Sequence, residues 1–333
     1  MVNQLTGFKV QEFGGIEPNP RVETIRKALK QYKNDKPDII LAVGGGSVID
    51  GSKLLAASFY YNGDPWDFLI KKKAEPKKYI PLATVLTISA TGREMNCGAV
   101  ITRWETKEKL VLVRKEIYPK FSILDPQNTF TVPKDYTAYG IVDAFSHVLE
   151  QYIHMEKNVP LQDRFSEGIL LALIENAQKV SRKPKDYNTR ANIMLCATMA
   201  LNNLIAMGTS EDWATHDIEH EFSAFYDIPH GAGIAIITPR WMEVVKQQKR
   251  SKLIQYGKRI WSLRGSSKKI MEGAIQKTYN FFKSLGIKMS FKKWGIDSSY
   301  FEVIVKRLVK KGIGEKTLKK EQIEKILNNC LED

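Results

Sequence analysis

Residues 208–236 constrain this chain most, because they hold three of the five histidines in 333 residues. The stretch reads GTSEDWATHDIEHEFSAFYDIPHGAGIAI. His216 and His220 are four residues apart, so a helix presents both on one face, one turn above the other. His230 follows after a break that contains a proline.

A second pair of donors lies upstream, where Asp143 and His147 are also four residues apart in an amphipathic run. Two helices can therefore each direct two donors to one point. One carboxylate and several imidazoles suit Fe(II) or Zn(II), and an open coordination position admits a substrate. A lone histidine is more often a packed, hydrogen-bonded residue. Because the donors form two matching pairs and only His154 lies elsewhere, the pattern favours a metal site.

The composition is that of a globular protein with room for two domains, since 43% of the 333 residues are hydrophobic. The formal net charge of +14 raises the alternative of a nucleic-acid partner. The lysines, however, are scattered in short groups and are not interleaved with aromatic residues as in a base-stacking surface. We therefore expect a solvated basic exterior and no nucleic-acid partner.

The cysteines and the lengths of the apolar runs indicate the cellular compartment of the protein. Cys97, Cys196 and Cys330 are far apart and form no C-x-x-C pair, so neither a disulfide framework nor a thiolate zinc site is indicated. No signal peptide is visible at the N-terminus. No apolar run approaches the roughly 20 residues that cross a bilayer. The expected location is the cytoplasm, without a membrane partner.

The first third of the chain alternates strands and helices. A short strand is predicted at residues 8–13, a helix at 21–33, and a buried strand at 37–43 that leads into Gly44-Gly-Gly-Ser and a helix at 48–61. A glycine turn before a helix lets backbone N–H groups approach a pyrophosphate. Such turns also occur without a ligand, and this one matches neither G-x-G-x-x-G nor the GK[ST] loop.

Further strands are predicted at 79–87 and 121–126, with a two-stranded excursion at 98–104 and 109–114 between them. After residue 133 the pattern becomes helical. The helices are predicted at 134–155, 160–181, 187–206, 210–226, 230–247, 249–261, 268–286, 297–311 and 319–331. We place one domain at residues 1–127 and a second at 128–333.

Five motifs together resemble the iron-containing (group III) alcohol dehydrogenases, most closely their butanol-dehydrogenase-like branch. They are GGGSVIDGSK, ATGREMN, Leu-Asp-Pro at 124–126, GIVDAFSHVLEQY and DWATHDIEHEFSAFYDIPHGAG. The resemblance runs nearly end to end. It implies a dehydroquinate-synthase-like α/β plus all-α architecture, with a parallel-sheet nucleotide domain, a helical metal domain and the active site between them.

The resemblance also implies roles for individual residues. The metal ligands would be Asp143, His147, His216 and His230. The cofactor would contact Gly44, Gly45, Gly46, Ser47, Thr87, Thr91, Lys109 and Leu124, with Asp50 supporting the glycine loop. Lys109, which would face the nicotinamide ribose, is also a candidate catalytic residue. His220 matches a position near the nicotinamide that is usually not a ligand, and it is the candidate proton relay. Its alternative role is local packing.

The implied reaction is hydride transfer between a primary alcohol or aldehyde and NAD or NADP, with the substrate oxygen polarised by a divalent metal, Fe²⁺ or alternatively Zn²⁺. The resemblance also implies a homodimer. Two departures bear on this expectation. Arg93 replaces a serine of the family's TGSE motif, and family members carry further elements before the segment that begins here. The alternative is therefore an N-terminally truncated metal-binding chain with little or no turnover.

Overall fold

A three-stranded parallel sheet forms the centre of the first part of the chain. The computed structural model describes residues 3, 5–71, 74–155 and 158–332. The strands are β1 (Ile40–Gly44), β2 (Leu82–Leu86) and β5 (Ser122–Ile123), in the order β1-β2-β5. Every residue of β2 is buried, as expected for a central strand covered on both faces.

Helices and a β-ribbon surround this sheet. The helices are α1 (Val22–Tyr32), α2 (Gly46–Ser58) and α3 (Asp67–Ile70). The ribbon pairs β3 (Gly98–Arg103) with β4 (Glu108–Val113) in antiparallel fashion, which confirms the predicted excursion. The strand predicted at residues 8–13 is wrong, because that segment pairs with no other described strand and Phe8 is 73% exposed.

The second part is helical. Its helices are α4 (Lys134–Tyr152), α5 (Pro160–Arg182), α6 (Tyr187–Ala200), α7 (Ala214–Tyr226), α8 (His230–Val245), α9 (Arg250–Arg259), α10 (Ser267–Ser284), α11 (Phe301–Lys311) and α12 (Lys320–Leu331). The helix predicted at 187–206 ends earlier and the one predicted at 210–226 starts later. The reasons are local. Asn203 has φ +69° and Trp213 has φ +59°, which a right-handed helix excludes, and Asp212 accepts a hydrogen bond from the Ala214 N–H at the start of α7.

Helix α4 is the central helix of this part. It packs against α5, α6 and α8, and it is buried almost continuously from Gly140 to Tyr152. Its apolar residues, such as Phe145, belong to a core that extends through Trp241 of α8. Polar side chains on this helix lie away from water and need partners. Within the part of the chain that is described, no helix has both the length and the apolar content to span a bilayer.

Two glycines let backbones approach closely around the start of α4. A Cβ on Gly140 would lie 2.2 Å from the Ser89 carbonyl oxygen, in the loop after β2. A Cβ on Gly231, at the start of α8, would lie 2.3 Å from the Tyr139 carbonyl oxygen. Real Cβ atoms essentially never come so close, so these glycines set how tightly α4 packs on the sheet loop and on α8.

We expect Gly140→Ala to destabilise the protein by about 2–4 kcal/mol, because the backbone oxygen of Ser89 has to move. The matched control is Gly168→Ala on α5, where the space beyond the glycine is open. This control should gain about 0.5–1 kcal/mol from helix propensity. Urea unfolding midpoints at unchanged slope measure both effects, and equal midpoints for the two variants would contradict the packing argument.

Candidate metal and cofactor site

One carboxylate oxygen lies at the centre of the histidine cluster. Asp143 Oδ1 is 3.6 Å from His147 Nδ1, 3.7 Å from His216 Nε2 and 3.3 Å from His230 Nε2. The first two residues come from α4, His216 from α7, and His230 is the first residue of α8. The structure therefore brings together all four side chains that the family resemblance implied as ligands.

Buried carboxylates orient two of these imidazoles. Glu150 accepts a hydrogen bond from His216 Nδ1, and Glu219 accepts one from His230 Nδ1. With each Nδ1 paired to one of these carboxylates, the Nε2 atom of each ring faces Asp143. Carboxylates that hold ligand histidines in this way are a common support of metal sites.

The donor set fits a divalent cation. Asp143 Oδ1, His147 Nδ1 and His216 Nε2 are buried and have no hydrogen-bond partner among the residues described. Leaving buried polar atoms without partners is costly, and three such atoms within 4.8 Å of one another suit a common cation. One oxygen and three imidazole nitrogens match the preferences of Fe(II) and Zn(II).

His230 belongs with these donors, although its Nδ1 side forms a second group with Glu219 and His220. Its two nitrogens face opposite ways: Nδ1 contacts Glu219 and Nε2 contacts Asp143. The donors therefore form one centre, and Glu219 lies on the opposite side of the His230 ring from Asp143. Access to the centre is uneven, since the His230 side chain is 23% exposed and that of His216 only 7%.

The electrostatics of the cluster favour a charged carboxylate at Asp143 and a neutral ring at His147. Burial raises the pKa of Asp143, but the neighbouring imidazoles outweigh it and hold that pKa well below its usual range. Burial lowers the pKa of His147 well below normal. For His216 burial also lowers the pKa, but Glu150 and Asp143 outweigh it and raise the pKa to about 9.

His220 and Lys109 lie beside the cluster. The His220 ring centroid is 5.8 Å from that of His230, and its Nδ1 is buried with no partner in the described chain. Burial, followed by the charge of Lys109, lowers the pKa of His220 well below normal, so the ring is neutral. Lys109 Nζ is 2.9 Å from Asn19 Oδ1 and 3.3 Å from Glu219 Oε2, so this lysine of β4 contacts the helical part directly.

The glycine turn lies where the sequence places it, between β1 and α2. Gly44 ends the strand, Gly45 precedes the helix, and Gly46 and Ser47 form its first turn. A Cβ on Gly46 would lie 2.3 Å from Thr91 Oγ1. Thr87 follows β2 and its N–H donates to the Gly44 carbonyl. The turn and the two threonines therefore form one surface at the carboxyl end of the parallel strands, where α/β sheets bind ligands.

The remaining predicted cofactor residues lie around this turn. Asp50 accepts a hydrogen bond from the Val100 N–H at 2.9 Å, and its carboxylate is 3.3 Å from Arg93 Nε. Its contacts thus join α2 to β3 and to the loop after β2. Arg93 is directed inward to that carboxylate, so its charge is neutralised inside the protein. Leu124 is half-buried against a small core that includes Ile49 and Leu86.

Three residues beside the metal cluster were missed in the sequence. Glu150 lies three residues after His147 and Glu219 three residues after His216, so helical spacing could have found both. Trp213 has no such signal. Its ring centroid is 5.2 Å from that of His216 and 5.9 Å from that of His147, and it forms a wall of the cluster.

Known proteins resemble this chain along nearly its whole length. The model of the family "Iron-containing alcohol dehydrogenase" matches residues 1–126, and that of the "Fe-containing alcohol dehydrogenase family, C-terminal" matches residues 137–331. A probable NADH-dependent butanol dehydrogenase 1 of Bacillus subtilis is 44% identical, covering 98% of this chain and 85% of the relative. The NADPH-dependent aldehyde reductase YqhD of Escherichia coli is 43% identical, covering 94% and 82%.

Solved structures give the same result for the fold. A crystal structure of YqhD from Escherichia coli K-12 superposes with a TM-score of 0.95 at 41% identity, over 99% of this chain and 86% of that one. NADH-dependent butanol dehydrogenase A of Thermotoga maritima gives a TM-score of 0.94 at 38% identity, over 99% and 85%. The predicted fold class, a parallel-sheet part followed by a helical part, is confirmed. The chain belongs to the iron-containing alcohol dehydrogenase family, in its butanol-dehydrogenase-like branch.

Proposed function

We propose that this protein transfers a hydride between NAD(P) and a small primary alcohol or aldehyde, at a site that holds a divalent metal. The observation that carries the proposal is the convergence of three imidazoles on Asp143 Oδ1, at distances of 3.3–3.7 Å. Family membership supports the same reaction class, because relatives in this branch are named as butanol dehydrogenases and as an aldehyde reductase.

In this proposal Asp143, His147, His216 and His230 hold the cation, which is Fe²⁺ or alternatively Zn²⁺. When bound, the cation supplies Lewis-acid polarisation of the substrate oxygen. Glu150 and Glu219 keep the Nε2 atoms of His216 and His230 directed to the centre. Trp213 covers the face next to His147 and His216 and excludes water there.

The glycine turn is the proposed pyrophosphate site. Gly44, Gly45, Gly46 and Ser47 present backbone N–H groups at the N-terminus of α2, where the helix dipole favours an anion. The further proposed cofactor contacts are Thr87, Thr91, Lys109 and Leu124. Asp50 supports α2 through its contacts with Val100 and Arg93. The nicotinamide supplies the hydride acceptor or donor. Relatives that use NADH and NADPH are both similar, so either cofactor fits.

His220 is the proposed proton carrier. It lies one helical turn from His216, it is neutral, and its Nδ1 has no protein partner within the described chain. A neutral imidazole nitrogen can accept the proton that an alcohol loses and return it in the reverse reaction.

The alternative of a truncated chain without turnover has no support from the comparisons. The chain covers 85% and 82% of the length of two relatives that are named as enzymes. The division into domains at residues 127 and 128 and the homodimer remain proposals. Among the described strands β1 lies at an edge of the sheet, and its Val43 is 43% exposed, which supports the pairing of two copies. A cytoplasmic location is proposed from the three free cysteines.

The reaction is tested with metal-replete protein, butan-1-ol or butanal, and NAD(P)⁺ or NAD(P)H. We expect turnover visible as nicotinamide absorbance, lost with a chelator and restored by Fe²⁺ or Zn²⁺. Micromolar cofactor binding without turnover on any short alcohol or aldehyde would instead support the metal-binding chain without activity.

The metal ligands are tested by Asp143→Asn, which removes the only carboxylate of the proposed set. We expect the bound metal to fall from one equivalent to below about a tenth, because a neutral amide is a poor ligand for Zn²⁺ or Fe²⁺. The matched control is Asp135→Asn, at the exposed start of the same helix, which should keep its metal. Elemental analysis after dialysis gives both values, and one equivalent of metal in Asp143→Asn would contradict the assignment.

The cofactor turn is tested by Gly46→Ala. The added methyl group meets Thr91 Oγ1, so the turn and the threonine loop must separate. We expect the dissociation constant for NAD(P)H to rise at least about tenfold, equivalent to ~1.4 kcal/mol, while the metal content stays at one equivalent. Nicotinamide fluorescence titration measures the affinity, with Gly168→Ala as the control. Unchanged affinity would place the pyrophosphate elsewhere.

A further inference from the structure

We infer that Glu219 is a positioning residue, which fixes the ring of the proposed metal ligand His230 and ties it to Lys109 of the first part of the chain. The inference rests on the proposed function, because it assigns His230 to a metal. It adds that the geometry of one ligand depends on a contact between the two parts of the molecule.

The contacts of Glu219 occupy both of its carboxylate oxygens. Oε2 accepts hydrogen bonds from His230 Nδ1 and, at 3.3 Å, from Lys109 Nζ. Oε1 accepts one from Ser223 Oγ, one helical turn further along α7. The side chain is fully buried, with no exposed surface. The carboxylate therefore has one orientation in which all its partners are satisfied.

Packing against α8 leaves the Glu219 side chain no room to rotate towards that helix. A Cβ on Gly233 of α8 would lie 2.8 Å from Glu219 Cγ and 3.2 Å from Oε1. The absence of a side chain at Gly233 leaves the space that Glu219 fills. The glutamate is thus held between α7, α8 and β4, and His230 cannot rotate without breaking its bond to it.

The lysine extends this connection into the sheet part. Lys109 lies on β4 and donates to Asn19 at 2.9 Å, and Asn19 in turn donates to Asp227 at 3.0 Å. The ammonium group of Lys109 lies 3.3 Å from Glu219 Oε2 and favours the charged form of the carboxylate. A charged carboxylate in this place is a strong acceptor for the Nδ1–H of His230.

A purely structural role is the competing explanation. Glu219 and Lys109 form a buried ion pair across the two parts, and such a pair can hold parts together without any effect on a ligand. The two explanations differ in one respect: only a positioning role acts through the His230 ring. The experiment therefore measures metal affinity, with and without that ring.

The experiment uses Zn²⁺ alone, in competition with a chromophoric chelator, on the full chain without cofactor. We expect Glu219→Gln to weaken Zn²⁺ binding 10–100-fold, because the amide is a weaker acceptor and its NH₂ group repels the Nδ1–H. Co²⁺ substitution gives a second measurement, and the visible bands should shift as the ligand field at His230 changes. The matched control is Glu221→Gln on the same helix, which breaks the ion pair with Arg307 of α11, a residue that itself donates to the Lys107 carbonyl of the first part, and which contacts none of the described histidines. It should change the affinity less than twofold.

The decisive variant is His230→Ala, alone and combined with Glu219→Gln. If Glu219 acts through the ring, the combined variant should bind Zn²⁺ within about twofold of His230→Ala. The inference is overturned if Glu219→Gln weakens binding equally with and without the ring, or if it binds like the parent protein. Parent protein that binds no Zn²⁺ would instead overturn the proposed function.

Glu219→Asp covers the case in which the glutamine variant does not fold. Aspartate keeps the negative charge that pairs with Lys109, but its side chain is one methylene shorter, so the hydrogen bond to His230 is lost. We expect at least about fivefold weaker Zn²⁺ binding, with a single cooperative urea transition that shows the variant to be folded. Parent-like Zn²⁺ affinity in this variant would also overturn the inference.

Discussion

The site depends on polar groups that are buried inside the central helix of the helical part. Asp143, His147 and Glu150 lie on α4, which is enclosed by three other helices. Buried polar groups are tolerated only with partners, and each of these three side chains contacts His216 of α7. The requirement to satisfy them fixes how α7 and α8 approach α4. The same contacts that make the core stable thus assemble the donor set.

The two parts of the chain meet where the proposed cofactor and metal meet. Gly140 brings α4 against the loop after β2, and Thr91 of that loop lies against Gly46 of the glycine turn. Lys109 of the β-ribbon contacts Glu219 of α7. The close contacts at Gly140 and Gly46 and the buried ion pair between Lys109 and Glu219 therefore fix the distance between the glycine turn and the histidine cluster.

Much of this arrangement could be predicted from the sequence, because periodicity and helical spacing are local. The strand, glycine turn and helix at residues 40–58 and the α4 pair Asp143 and His147 follow from such patterns. The choice of His230 over His220 needed the family resemblance, since spacing alone favours His220. The break between α6 and α7 and the wall formed by Trp213 could not be predicted. They depend on a positive φ and on which rings meet after folding.

The uneven shielding of the three imidazole rings has a consequence for access to the centre. His147 stacks on His216 with centroids 4.5 Å apart, Trp213 closes their far side, and only His230 has substantial contact with solvent. Among the described residues, the cluster is therefore open to solvent chiefly on its His230 side. A change at this ring would alter access to the centre as well as the donor set itself.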